Sequence, residues 1–125
     1  MVLTQWCKYI ISKKNPYFLK KYNSKIYLLK VDTNDKRLYK IGFTRGSIEQ
    51  RIKSLQTGCP FEIKLVDFYE SDYGQTLEKS LQNRFNYKKT FGEWFELDLV
   101  EEFKFIEMCE NLEKINESLE KNNYD

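Results

Sequence analysis

Three residues stand out because their side chains depart from the pattern around them: Tyr27, Arg51 and Glu93. Such departures are often functional. The chain contains no histidine, so Ser-His and Cys-His nucleophile systems and histidine-based metal sites are excluded. Any general base must therefore be Tyr, Lys, Asp or Glu, and any site for a hard metal ion must be built from carboxylates.

Arg51 borders the apolar stripe of a predicted helix. At about 100° per residue, Ile48, Ile52 and Leu55 lie on one face of this helix. Arg51 lies about 60° from Ile48, at the border of that face. A guanidinium there favours a carboxylate or phosphate partner, because an unpaired buried charge is costly. The alternative is an arginine whose stem covers the edge of the core while its head stays in water.

Glu93 and Tyr27 have both a functional and an ordinary interpretation. Glu93 follows Gly92 and precedes Trp94–Phe95, so its carboxylate is held between a turn and two packed aromatic residues. A metal ligand is well presented in this way, although an exposed turn glutamate has the same pattern. Strand alternation puts Tyr27 on the same face as Lys25, where a tyrosine is commonly a core or interface residue.

Strand patterns dominate the first half of the chain. Lys25–Thr33 and Arg37–Thr44 are rich in β-branched and aromatic residues, and the Asn-Asp-Lys turn between them predicts a hairpin. Phe61–Tyr69 is predicted as a third strand whose apolar residues, Leu65 among them, alternate onto one side. Phe91–Leu97 is predicted as a turn followed by a short apolar strand.

Helix signals accompany these strands. A helix is predicted from Ser47 until Thr57–Gly58, and a second from Thr76 to Tyr87. A final acidic helix is predicted from Leu99 to about Leu119, with capping boxes at Ser47 and Asp98. The order predicts an α+β fold with a small central, mostly antiparallel three-stranded sheet, a hairpin plus a third strand, flanked by helices.

Charge is distributed unevenly although the net charge is only +2. Residues 1–60 hold 13 basic and 3 acidic residues, whereas residues 61–125 hold 8 basic and 16 acidic residues. A basic surface could meet polyanions, but solvated helix faces of opposite sign give the same asymmetry. The three cysteines form no Cys-x-x-Cys pair, and no apolar run is long enough for a bilayer. We therefore expect an intracellular protein, in the cytoplasm or in a host-cell cytoplasm if viral, with no membrane partner.

Five segments, KIYLLKV, YKIGFT, SIEQRIKSLQTGCP, LEKSLQNRF and FGEWFEL, occur in this order between Ser24 and Leu97. Together they resemble the GIY-YIG nuclease superfamily, in its branch of small stand-alone domains from phages and from a fungal meiotically up-regulated protein. The resemblance implies a metal-dependent DNA endonuclease that hydrolyses phosphodiester bonds to 5′-phosphate and 3′-hydroxyl ends. It also implies a Mg²⁺ or Mn²⁺ cofactor and DNA, most of all double-stranded DNA, as the partner.

The resemblance assigns four catalytic residues. Tyr27 would take a proton from the attacking water, with Tyr39 as an alternative phenol. Lys40 would supply the cation that activates this base, because a phenol has an unperturbed pKa near ~10. Arg51 would bind the phosphate, and Glu93 would hold the metal ion. The expected nucleic-acid-binding residues are Lys25, Arg45, Lys53, Lys88 and Lys89.

The chain departs from the family pattern at three positions. Lys25 replaces a glycine of the first motif, Lys40 replaces a tyrosine of the second, and Gln82 stands where relatives often carry histidine. Gln82 and Lys40 motivate an alternative function, a catalytically weak or inactive nucleic-acid-binding module on the same fold. A further alternative is a protein-interaction module that uses the acidic final helix.

The expected domain organisation has three parts. Residues 1–23 would form a basic and aromatic N-terminal extension that could add contacts to DNA. Residues 24–97 would form the nuclease-like domain. Residues 98–125 would form the acidic C-terminal helix, packed on that domain and available to a protein partner.

Overall fold

The hairpin forms where its sequence predicts it. The computed structural model describes residues 21–123, in which β1 (Ser24–Asp32) and β2 (Arg37–Thr44) pair antiparallel. The turn is closed by a hydrogen bond of 2.8 Å from the Thr33 N–H to the Lys36 carbonyl. The Thr33 hydroxyl accepts from the N–H groups of residues 35 and 36, the local chemistry expected of a turn.

A third strand, β3 (Lys64–Ser71), pairs antiparallel with the other edge of β1, which gives the strand order β2-β1-β3. The predicted start at residue 61 is wrong by three residues. The Gln56 side chain bonds to backbone groups of residues 59, 61 and 63 and holds this segment outside the sheet. The predicted alternation is also wrong at Leu65, which is exposed, because a register shift opposite Leu28 and Leu29 interrupts it.

Four α-helices follow or separate the strands in the described part: α1 (Ile48–Gln56), α2 (Gly74–Arg84), α3 (Leu99–Phe103) and α4 (Phe105–Asn123). Capping follows the sequence closely. The Ser47 hydroxyl accepts from the Gln50 N–H at the start of α1, and Asp98 with Glu101 forms a complete capping box before α3. The single final helix that we predicted is interrupted at Lys104, whose N–H bonds to carbonyls of α3 in a tightened turn.

The sheet carries a separate apolar cluster on each face. One cluster lies between the sheet and the helices α2 and α4, with Ile26, Leu28 and Ile41 contributed by the strands. The other lies between the opposite face of the sheet and α1. Its buried members are Tyr27, Leu29, Val31, Leu38, Ile48 and Ile63. The α+β fold with a three-stranded antiparallel sheet flanked by helices is therefore confirmed.

The outer edge of β2 is covered at every second residue. Tyr39 exchanges two backbone hydrogen bonds of 2.8 Å with Phe95. The Gln82 side chain donates to the Ile41 carbonyl at 3.0 Å, and the Phe43 N–H faces the Glu78 carboxylate, whose charged form it favours. The predicted strand in Phe91–Leu97 is thus reduced to bridges through one residue, Phe95.

Parts of the prediction fall on residues that the structure does not describe. The N-terminal extension, 1–23, lies outside the described range except for its last three residues. Within residues 21–123, no helix is both long and apolar enough to cross a membrane. The acidic helix α4 packs its apolar side, which includes Phe105, Ile106 and Cys109, into the cluster it shares with α2.

Candidate active site

Tyr27 is positioned by its partner across the hairpin. It pairs with Gly42, and its side chain is 1% exposed in the cluster beneath α1. A Cβ placed at Gly42 would lie 2.7 Å from Cε1 of Tyr27 and closer still to the hydroxyl. The missing side chain at Gly42 therefore makes the space in which the Tyr27 ring lies flat against β2.

Arg51 reaches this phenol from α1. Its Nε donates to the Tyr27 hydroxyl oxygen at 3.4 Å, a long hydrogen bond, while the rest of the side chain is exposed to solvent. This hydrogen bond, together with the charges of Glu93 and Glu78, raises the pKa of Arg51. The helix-border position predicted for Arg51 thus places a permanent cation beside Tyr27, on a residue that is exposed to solvent.

Lys40 and Glu93 form an ion pair on the same face of the sheet. The two charged groups are 2.7 Å apart, with 13% of the Lys40 side chain and 68% of the Glu93 side chain exposed. The ammonium also lies 5.8 Å from the centre of the Trp94 ring. Hydrogen bonding and the charge of Lys40, with smaller effects of Lys89 and Arg51, lower the pKa of Glu93 and keep it ionised.

A tight turn presents Glu93. Gly92 has a φ of 57°, in the left-handed region that glycine adopts most easily. The Trp94 N–H bonds to the Phe91 carbonyl at 3.1 Å, and the Thr90 N–H bonds to the Trp94 carbonyl at 3.0 Å. The next residue, Phe95, is joined to β2, so the turn is fixed to the strand that carries Lys40.

Glu78 is a site residue that our sequence interpretation missed. It lies half-buried on α2, and burial, together with the charge of Glu93, raises its pKa, while Arg51 and Lys40 lower it. Glu78 therefore lies within electrostatic range of all three charged residues of the site. The signal was available, since Glu78 lies about 60° from Leu81 on α2, the same border position that marked Arg51 on α1.

The two carboxylates are the candidates for a metal ion. Within residues 21–123, no group of three or more His, Cys, Asp or Glu side chains is arranged to hold a metal. Glu93 is exposed and ionised, and repulsion between Glu78 and Glu93 is the kind that a divalent cation relieves. This small oxygen donor set fits Mg²⁺ or Mn²⁺, since Mg²⁺ commonly binds one or two carboxylates and keeps several waters.

The alternative phenol, Tyr39, is excluded by its position. It lies in the cluster on the opposite face of the sheet, and its hydroxyl donates to Glu102 at 3.0 Å. Burial and Glu102 raise the pKa of Tyr39 to about 12. The cation bonded to Tyr27 is Arg51, whereas the ammonium of Lys40 pairs with Glu93.

The predicted nucleic-acid-binding residues are placed unequally. Lys25 is partly buried on β1, on the same side as Tyr27 by strand alternation, and Arg45 is exposed directly after β2. Lys53 is exposed on α1, about 200° around the helix from Arg51. Their predicted contacts to DNA remain predictions.

The two neighbouring lysines 88 and 89 have different surroundings. Lys88 is held by Glu101 and Asp98 at the start of α3. Lys89 is exposed, and its charge reaches Glu93. Lys89 is therefore the lysine of this pair that is available to an anion beside the site.

Sequence comparison assigns the family. The fold and site define a small mixed domain with a cationic and acidic cluster on one sheet face. Residues 24–118 match the model of the T5orf172 domain, so the chain belongs to this family, which is associated with nuclease-related domains. No curated protein and no solved structure matches the chain.

Proposed function

We propose that this protein is a divalent-metal-dependent DNA endonuclease that hydrolyses phosphodiester bonds and leaves 5′-phosphate and 3′-hydroxyl ends. The observation that carries the proposal is the hydrogen bond from Arg51 to Tyr27, which joins a phosphate-binding cation to a buried phenol. The Lys40–Glu93 ion pair lies on the same face of the sheet. Membership of a family associated with nuclease-related domains supports the same reaction class.

Each side chain has one part in the proposed reaction. Arg51 binds the non-bridging oxygens of the scissile phosphate and stabilises their growing negative charge. Tyr27, held against Gly42, acts as a phenolate that takes the proton of the attacking water and becomes a neutral hydroxyl. The positive charge of Arg51, whose Nε bonds to this oxygen, favours the phenolate form that acts as the base.

The acidic residues form the metal side of the site. Glu93, with Glu78 within electrostatic range, would hold Mg²⁺ or Mn²⁺, which when bound would supply positive charge to the leaving 3′ oxygen and polarise the phosphate. The Lys40 ammonium keeps Glu93 ionised and in place. When the phosphate enters, the same ammonium is available to bind one of its oxygens.

The proposal is tested by cleavage of supercoiled plasmid and of an end-labelled duplex with Mg²⁺ or Mn²⁺. Wild-type protein should cut, and Glu93→Gln, which keeps the size of the side chain, should not. Binding of DNA without cleavage by both proteins would support a binding module instead. Ligation of the products without prior kinase treatment would identify the 5′-phosphate and 3′-hydroxyl ends.

A further inference from the structure

A cavity of about 270 Å³ lies directly beside the site and has no part in the hydrolysis described above. It opens on the sheet face that carries Tyr27, between β2, the segment after α1 and the Glu93 turn. Its walls are mostly apolar and aromatic. They include Leu38, Leu55, Phe61, Phe91 and Trp94.

Lys40 belongs to both the cavity and the site. Its side chain lines the cavity, while its ammonium bonds to Glu93 and lies over the Trp94 ring. A group in the cavity that also extends past Lys40 would therefore reach the phosphate position. A nucleotide has this shape, with a flat apolar base joined through a sugar to an anion.

The size and chemistry of the walls also favour a base. The cavity is slightly smaller than the ~300–1,000 Å³ typical of pockets for drug-sized ligands, which suits a single ring system. Trp94 and Phe61 are partly buried in the wall, and Phe91 is 65% exposed at the turn. Aromatic side chains beside a basic groove are the usual platform on which unstacked bases bind.

We propose that this cavity binds one unstacked nucleobase next to the scissile phosphate, so that the preferred substrate is DNA with an unpaired nucleotide. The inference rests on the proposed function for its substrate, and it adds the class of DNA that is cut. A base inside a regular duplex cannot reach the cavity, because its faces are covered by its neighbours. An unpaired base enters at a smaller energetic cost, which makes the cavity selective.

Gly58 offers a way to fill the cavity while the site residues stay unchanged. It lines the cavity, and a Cβ built there meets no atom within 4 Å. Gly58→Leu should therefore fold, and a leucine at this wall position is chosen to reduce the space in the cavity. Gly58→Ala is the matched control, because one methyl group leaves most of the space open.

The experiment compares two fluorescent duplexes, a paired one and a bulged one. They differ only in that the bulged duplex carries a single unpaired 2-aminopurine. Wild-type protein and Gly58→Ala should bind the bulged duplex about tenfold more tightly than the paired one. Gly58→Leu should bind both duplexes as wild type binds the paired one. Equal binding of both duplexes by wild type, or a preference that survives Gly58→Leu, would overturn the inference.

A second measurement uses the thiol of Cys59, which also lines the cavity. In a Cys7→Ser background, the bulged duplex should slow alkylation of Cys59 by iodoacetamide more than the paired duplex does. Equal protection by the two duplexes would contradict the entry of an unpaired base into the cavity. Cys109 is fully buried and serves as the internal reference. Cleavage with Mg²⁺ is followed in parallel. A binding preference without any cleavage would reject the nuclease but leave the base site standing.

Discussion

Gly42 lies opposite Tyr27 in the β1–β2 pair, and the phenol ring occupies the space where any other residue would have its Cβ. The geometry of the proposed base therefore depends on a residue that has no side chain. This relationship gives a glycine within β2, which weakens a strand by itself, a specific packing role.

Gly42→Ala should push the Tyr27 ring out of its place. We expect a loss of about 1–3 kcal/mol in the free energy of unfolding from overpacking, together with a large loss of cleavage. Gly46→Ala is the control, because a Cβ there has only the Thr44 hydroxyl oxygen nearby, at 3.8 Å. Urea denaturation and cleavage of a labelled duplex measure the two effects. An active and fully stable Gly42→Ala protein would contradict the described packing.

Tyr27→Phe should remove the proposed base and keep the ring. We expect cleavage to fall by about 10²- to 10⁴-fold, the usual contribution of a general base, with almost unchanged DNA binding. Tyr39→Phe removes a phenol from the opposite face of the sheet and loses its bond to Glu102, so it should cost about 1 kcal/mol of stability. Its rate of cleavage should stay close to that of wild type. The interpretation fails if the two variants lose activity equally.

Arg51→Lys should behave as a severe substitution although it keeps the charge. An ammonium cannot bind two phosphate oxygens in the plane that a guanidinium offers, so we expect a fall in kcat of about 10²- to 10³-fold. Arg37→Lys is the matched control at the far end of β2, where Arg37 is exposed and paired with Asp32. Single-turnover kinetics should show a wild-type rate for the control and the slow rate for Arg51→Lys.

Glu78 should make the stability of the fold depend on pH. Its pKa in the folded protein is raised above the ordinary value, chiefly by burial. Its stabilising contribution is therefore present below the ordinary pKa of glutamate and is lost as pH rises through the raised folded value. Glu78→Gln has no such charge. The Tm of this variant minus the Tm of wild type should therefore increase as the pH is raised from 4 to about 7.

Thermal melts at the two pH values measure this difference, with the exposed Glu49→Gln of α1 as the control, for which we expect no comparable gain. Addition of Mg²⁺ at neutral pH should raise the Tm of wild type more than that of Glu78→Gln, because the cation relieves repulsion between the two carboxylates. An identical pH profile for wild type and Glu78→Gln would mean that the charge on Glu78 is not disfavoured by the fold.

Lys89→Ala and Lys88→Ala should separate DNA binding from stability. Lys89 is exposed beside the site, so its loss should weaken DNA binding and reduce the slope of log K against log salt by about 1. Lys88 is held by Glu101 and Asp98, so its loss should mainly lower stability. Lys114→Ala on the acidic helix α4 is the charge-matched control. If Lys88→Ala and Lys89→Ala reduce the slope of log K against log salt equally, Lys88 binds DNA in spite of its ion pairs, and the distinction between the two lysines is wrong.

Local chemistry made much of the fold predictable. The turn at Thr33, the cap at Ser47 and the capping box at Asp98 are each formed by residues close in sequence. The alternation of β1 correctly separated Tyr27 from Ile26, and these two residues lie in different clusters. Periodicity also identified the border position of Arg51.

Contacts between distant segments account for what was missed. The register shift beside Leu28 depends on how β3 meets β1, and the approach of Glu78 to β2 depends on where α2 docks. In both cases the two contacting segments are far apart in sequence, so the local pattern of one segment does not predict its contact with the other. Gln82 shows the same limit, since the local sequence does not reveal that its amide bonds to the Ile41 carbonyl and helps to fix α2 against β2.

The covered edge of β2 has a consequence beyond the reaction. An open strand edge is a template on which a second molecule can add its own strand, and this is a common route to aggregation. Here the side chains of Glu78 and Gln82 occupy that template, so the residue proposed to bind metal also keeps neighbouring molecules apart. A variant that lacks both side chains should therefore be poorly soluble at high protein concentration, whatever its rate of cleavage.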